Sequence, residues 1–314
     1  MTREREQGGI CLYRSLYCAF QGWLGTPLAE HQIFFLADGF QLRYQTMIKD
    51  GPLTQSVRFE DNVKVFALLA ERLGITYYYH QGPIDTPQDI SAALSRRCPV
   101  LLFTHVDALP YDQSGKLRSE AYHCIRILQP ITTDLTYADD FVPDLRGGYS
   151  TRIHHMKFEK NQRHFIGYGY FDGGNSRQSV EYGVIFRENM KRFLAGGQMG
   201  EISLGATGLT RFLEDCQILR EIEFSQKRYV DLMMILKYQL YAAYVYWIES
   251  AEELGLITEH IRDQIHAVNA LWRVCFSTLQ ISLTSGNILY FHRLLSFLPR
   301  LAQQLISLFA SLLT

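Results

Sequence analysis

The first clear pattern runs from Cys11 to Trp23, where Leu12, Leu16, Ala19, Phe20 and Trp23 recur at helical spacing after a Gly8-Gly9 approach. A helix that starts there carries Cys11 at its N-terminus. A second helix is predicted from Pro27 to about Leu36, with Thr26 as N-cap, Pro27 at the first position, Glu30 placed for a capping box and an end near Gly39. Phe40 to Gln45 alternates like a strand; Glu60 to Leu73 has helical periodicity and stops at Gly74. Ile75 to Tyr79 is β-branched and aromatic, a strand signal, and Pro87 to Arg96 predicts a short helix before the apolar strand Pro99 to Thr104.

Tyr122 to Leu128 and Asp134 to Asp140 flank Gln129-Pro130-Ile131-Thr132-Thr133, which predicts an antiparallel hairpin. A second hairpin is expected from Phe165 to Phe171 and Val180 to Phe186, turning at Asp172-Gly173-Gly174-Asn175. Past Gly196-Gly197 and Gly200 the pattern becomes long and helical: Leu209 to Ile222, Lys227 to Leu254, Thr258 to Thr284, and Asn287 to Leu313 with a break at Pro299. The expected organisation is an α+β domain over residues 1–200 followed by an all-helical domain over 201–314.

Composition narrows the function classes. With 31 Lys+Arg against 32 Asp+Glu the formal charge is -1, so no global field favours nucleic acid or an anionic membrane. The apolar tail from Leu301 to Leu313 is interrupted by Gln303 and Gln304 and is too short to span a bilayer. Met1 to Gln7 carries charge where a secretion signal would be apolar, so a cytoplasmic protein is expected. The six cysteines show no CxxC spacing and are expected to be free thiols.

A thiol at a helix N-terminus is favoured as thiolate by the dipole and the free N–H groups, and a His partner completes its activation. His123 is the candidate. If the hairpin turn centres on Ile131, His123 faces Asp139, close enough for a carboxylate to orient an imidazole; a one-residue slip brings Asp140 instead. An oxyanion would meet the backbone N–H of Cys11, with Gln7 as a candidate second donor.

Other residues have plainer readings. Cys18, two helical turns beyond Cys11, and Cys124, alternating with His123, are expected to be packed. His154, His155 and His164 lack metal-ligand spacing and are expected in a loop or at the surface; no metal or bound cofactor is expected. His31 and His105 read as surface or hydrogen-bonded core. The run with Tyr238, Tyr241, Tyr244 and Tyr246 reads as bundle core.

Cys11 opening the first helix, Pro27-Leu28-Ala29-Glu30, Gly39-Phe40-Gln41-Leu42-Arg43-Tyr44, Pro99-Val100-Leu101-Leu102-Phe103, Asp107-Ala108-Leu109-Pro110-Tyr111 and Tyr122-His123-Cys124-Ile125-Arg126-Ile127 together resemble the butirosin-biosynthesis protein H family. The resemblance covers about residues 7 to 145. Where that family often has His before the Cys, this chain has Ile10. The resemblance implies a papain-like, C39-like cysteine-peptidase fold and an acyltransferase of natural-product (antibiotic) biosynthesis. Such an enzyme takes an acyl or aminoacyl group from the phosphopantetheine thioester of an acyl or peptidyl carrier protein and gives it to a small-molecule amine. Carried over, Cys11 accepts the acyl group, His123 is base and acid, and Asp139 orients His123. Arg14, Arg43 and Arg96 are candidates for meeting an acidic carrier. The helical domain has three roles open to it: capping the cleft, receiving the carrier, or a homo-oligomer contact. Two other classes of function are weighed beside this one: a cysteine hydrolase using the same triad, and a non-catalytic module whose apolar tail docks on a partner.

Overall fold

A computed structural model describes residues 10–25, 27–45, 57–58, 61–84, 87–109, 122–143, 149–173, 180–220 and 226–313. In chain order the first elements are α1 (Cys11–Phe20), α2 (Glu30–Leu36), β1 (Arg43–Gln45), β2 (Val57–Arg58), α3 (Asn62–Leu73), β3 (Thr76–Gln81) and α4 (Gln88–Ser95). There follow β4 (Val100–His105), β5 (Tyr122–Ile127), β6 (Asp134–Pro143), β7 (Tyr149–Lys157), α5 (Phe158–Asn161) and β8 (Phe165–Asp172). The rest are α6 (Tyr182–Ala195), β9 (Gly197–Met199), β10 (Ile202–Leu204), α7 (Gly205–Asp215), α8 (Gln226–Ile235), α9 (Ala242–Glu253), α10 (Glu259–Ser285) and α11 (Ile288–Ala310). The fold is mixed α+β with antiparallel sheets and a helical C-terminal region.

The chain forms two compact units, and contacts divide it differently from a single cut at residue 200. The first unit takes residues 1–37, 61–182 and Tyr238–Tyr246; the second takes 38–60, 183–237 and 247–314. The cause lies in pairing. Strand β1 joins β10, with Arg43 opposite Leu204, so a segment early in the chain is tied to one past residue 200.

The first unit is built on a six-stranded sheet of order β3-β8-β4-β5-β6-β7, antiparallel throughout. One cluster joins Ile90 and Ala93 of α4 with Val100, Leu102, Ile125, Ile127, Leu135, Tyr137 and Phe165 of the strands. A second group stacks Phe66 of α3 on Phe171 of β8, with ring centroids 4.6 Å apart, and sets Phe20 of α1 edge-on to Phe171. Gly169 makes that packing fit: a Cβ there would meet the Phe66 ring at 2.5 Å. Gly169→Ala should therefore lower stability by about 1–3 kcal/mol through overpacking, read as a lower urea midpoint.

Several local expectations need correction. The second helix starts at Glu30 rather than Pro27; its N-cap is Ala29, whose N–H donates to Gln32 Oε1 at 2.9 Å, and Thr26 lies outside the described residues. Val180 to Phe186 does not pair with β8, which lies between β3 and β4. Tyr182–Ala195 is helical because its buried residues, Phe186, Asn189, Met190 and Phe193, fall at helical spacing. Residues 149–157 form strand β7 rather than a loop: His154, opposite Tyr137, is half-buried, and His155, opposite Thr136, is exposed at the surface as expected.

The second unit holds the four-stranded antiparallel sheet β2-β1-β10-β9 and most of the helices. Buried Asp38 accepts two bonds from the Arg192 guanidinium, at 2.6 and 2.7 Å, and one from Asn189. Thr258 caps α10, Gly286 ends it in the left-handed conformation, and Asn287 caps α11. Helix α11 continues through Pro299, where a break was expected, and its tail residues Leu301, Ala302, Leu305, Leu308 and Phe309 are buried. No helix among the described residues is long and apolar enough to cross a membrane.

Candidate functional site

The amphipathic stripe Leu12, Leu16, Ala19 and Phe20 fixes the face that α1 buries, and Ser15 Oγ donates to the Cys124 carbonyl of β5 at 3.3 Å. Cys11 thereby becomes the first helical residue, beside the strand that carries His123. The Cys11 sulfur and the His123 ring are neighbours, close enough that each shifts the other's titration. His123 Nε2 contacts Asp139 Oδ1 at 2.9 Å, which leaves Nδ1 for the sulfur. Asp139 is held in turn, since its Oδ1 also accepts the Phe141 N–H at 2.9 Å.

The route by which Asp139 reaches His123 differs from the expected one. Pairing of Arg126 with Ala138 and Ile127 with Tyr137 centres the turn on residue 132 rather than Ile131. Continued along the strands, that register sets His123 against Phe141, and Asp139 is the diagonal neighbour two residues away on the same face. Strand β6 is also irregular between Asp139 and Val142, where its register against β7 shifts. Asp140 has other partners: Arg126 holds it through a fork with both bonds at 3.0 Å, and Thr151 Oγ1 adds a third at 2.9 Å.

The electrostatics single out one sulfur. Burial pushes the Cys11 thiol up, but the hydrogen bond from His123, its charge and a backbone bond at Cys124 outweigh that, and the thiol titrates below its ordinary value. His123 moves the other way. Burial disfavours its cation, yet bonds to Asp139 and Cys11 and their negative charges raise it to about 10. The other five cysteines, all described, are shifted upward with burial as the leading cause: Cys18 to about 11, Cys275 to about 12, and Cys98, Cys124 and Cys216 in the same direction. Cys18 is half-buried beside the Asp140–Arg126 pair, whereas a fully packed position was expected. Cys124 is packed, at 1% exposure.

Around the pair stand groups that the sequence reading left elsewhere. The Phe141 ring lies 6.3 Å from the His123 ring, and Tyr238 packs edge-on against Phe141 at 5.8 Å. Tyr246 Oη accepts the Ile10 N–H at 3.1 Å and donates to Glu30 Oε1. Arg14 reaches the other Glu30 oxygen at 3.2 Å. The Tyr-rich run was expected as bundle core, with a substrate tunnel as the alternative; no local pattern links residue 246 to residue 10, and a Tyr hydroxyl near an apolar helix start is a signal only once the two are neighbours.

Gln7 lies outside the described residues, as do Pro110 and Tyr111. Of the arginines considered for a carrier, Arg14 bonds Glu30, Arg96 pairs with Asp172 at 3.4 Å, and Arg43 sits in β1 of the second unit. His164 Nδ1 contacts Asp107 at 3.3 Å, and among the described residues no group of three or more His, Cys, Asp or Glu could hold a metal ion. No protein-family model and no curated protein matches the chain.

Proposed function

We propose that the protein is a cysteine-nucleophile acyltransferase of natural-product biosynthesis, with Cys11, His123 and Asp139 as its catalytic triad. The observation that carries the reading is the juxtaposition of the Cys11 sulfur, at the first residue of a helix, with the His123 ring, which is itself hydrogen-bonded to buried Asp139 at 2.9 Å. A papain-like identity for the first unit belongs to the same proposal. Its support is the order of parts, a thiol-bearing helix followed by an antiparallel sheet that supplies the imidazole and then the acid.

In the proposed reaction the Cys11 thiolate attacks the carbonyl carbon of a carrier-bound phosphopantetheine thioester. The oxyanion that forms is met by the Cys11 N–H, one of the first-turn donors that a helix leaves unpaired. Collapse breaks the bond to the phosphopantetheine sulfur, which takes the proton from His123, and the acyl group is left on Cys11. A small-molecule amine then attacks that thioester; neutral His123 accepts its proton, and the Cys11 sulfur departs as thiolate. Exchange between two thioesters is nearly isoenergetic, so the first step needs no outside energy source.

The test is intact-mass analysis after mixing the protein with a carrier protein loaded with an acyl thioester. The expected result is an adduct of one acyl group that maps to Cys11, persists in buffer, disappears when a primary amine is added and is absent from Cys11→Ala. Loss of the adduct in buffer alone would identify a hydrolase instead, and no adduct would refute the proposal.

A further inference from the structure

Helix α1 begins without a side-chain cap of its own. Its N-cap is Ile10, whose side chain has no oxygen to offer, and its first turn contains no acidic residue. In a capping box a Glu or Gln three residues on accepts the N-cap N–H, and here that position is Tyr13, which is buried at 2% exposure. The missing acceptor arrives from 236 residues away, as Tyr246 Oη at 3.1 Å from the Ile10 nitrogen.

A phenol hydroxyl has one proton, and where that proton goes decides whether the oxygen can accept. Tyr246 gives its proton to Glu30 Oε1, which turns a lone pair toward Ile10. Glu30 is held for this by Arg14, one turn into the same helix α1, through its other oxygen at 3.2 Å. The Tyr246 ring is fixed against Phe34 of α2, with centroids 4.9 Å apart, and is 1% exposed. All of these groups belong to the first unit.

We propose that Tyr246 and Glu30 are positioning residues for Cys11: the carboxylate orients the phenol, the phenol pins Ile10, and the first turn of α1 is held with its N–H groups directed at the sulfur. This rests on Cys11 being the nucleophile but not on the identity of the acyl donor or acceptor. The other groups facing the sulfur, His123 and Cys124 from β5 and Asp139 from β6, are untouched by the variants below.

The experiment is the pH profile of Cys11 alkylation by iodoacetamide, followed by peptide mass. Tyr246→Phe keeps the ring and removes both bonds of the hydroxyl, the one accepted from Ile10 and the one given to Glu30, so the midpoint should move up and the rate at pH 7 fall about three- to tenfold. Glu30→Ala and Glu30→Gln both remove the charge, but only Gln keeps an acceptor for the phenol. The midpoint of Glu30→Ala should therefore lie above that of Glu30→Gln, and the difference should vanish when each is combined with Tyr246→Phe.

An unchanged midpoint in Tyr246→Phe overturns the proposal, as does an Ala–Gln difference that survives without the phenol. Should Tyr246→Phe fail to fold, equal midpoints for Glu30→Ala and Glu30→Gln in the otherwise native chain overturn it on their own. Failure of carrier loading with a normal alkylation profile would remove the acyltransferase reading and leave this one standing.

Discussion

Replacing His123 with alanine is expected to slow alkylation of Cys11 at pH 7 by about 10²-fold and to carry the midpoint of its pH profile above the ordinary thiol value of 9.0. In the native site His123 lowers the thiol, and Asp139 and Cys11 raise the imidazole to about 10, which favours the thiolate–imidazolium form of the pair. The pH profile of alkylation of the unaltered protein should accordingly have its midpoint below 9.0. Without the imidazole only burial remains as a large influence, and it acts upward. A profile that does not move in His123→Ala would mean that the ring does not activate the sulfur. The same pair makes stability pH-dependent. His123 is raised from an ordinary 6.5, so its contribution is complete below about pH 6.5 and is lost as pH climbs through about 10.

Arg126→Ala should be strongly destabilising, costing about 3–5 kcal/mol and readable as a large fall in the urea midpoint. Asp140 is fully buried, and two of its three bonds come from the Arg126 fork. Truncating the arginine strands the carboxylate with Thr151 alone. Removing both charges, as in Arg126→Met with Asp140→Leu, should restore much of the loss, since an apolar pair has no desolvation cost to offset. Equal instability in the single and double variants would show that packing rather than the stranded charge is responsible.

The chain announces some of this plainly and hides the rest. Helix α1, the Gly74 stop of α3, the strand after it and the hairpin of β5 and β6 all rest on periodicity or on residues with special backbone chemistry, and such signals are local. Cys11 and His123 could be named because a thiol at a helix start and an imidazole on a following strand carry their chemistry with them. Asp139 is legible as the orienting acid, but the register that delivers it is not: the turn centres on residue 132 rather than Ile131, which makes Asp139 a diagonal rather than a direct neighbour of His123, and composition does not encode a one-residue difference. Val180 to Phe186 reads as a strand although Tyr182–Ala195 is helical, because it is apolar over a stretch too short to separate the two periods. The tie between β1 and β10 and the reach of Tyr246 to Ile10 are non-local, and nothing within a dozen residues of either partner foretells them.

Tyr238–Tyr246 belongs to the first unit although it is separated from the rest of it by more than fifty residues of the second. A gene shortened to its first two hundred codons would lack the phenol that holds Ile10 and the ring that backs Phe141. The thiol-bearing half is for that reason not a portable cassette: grafting, swapping or expressing it alone requires the later segment to be supplied as well, on the same polypeptide or as an added peptide.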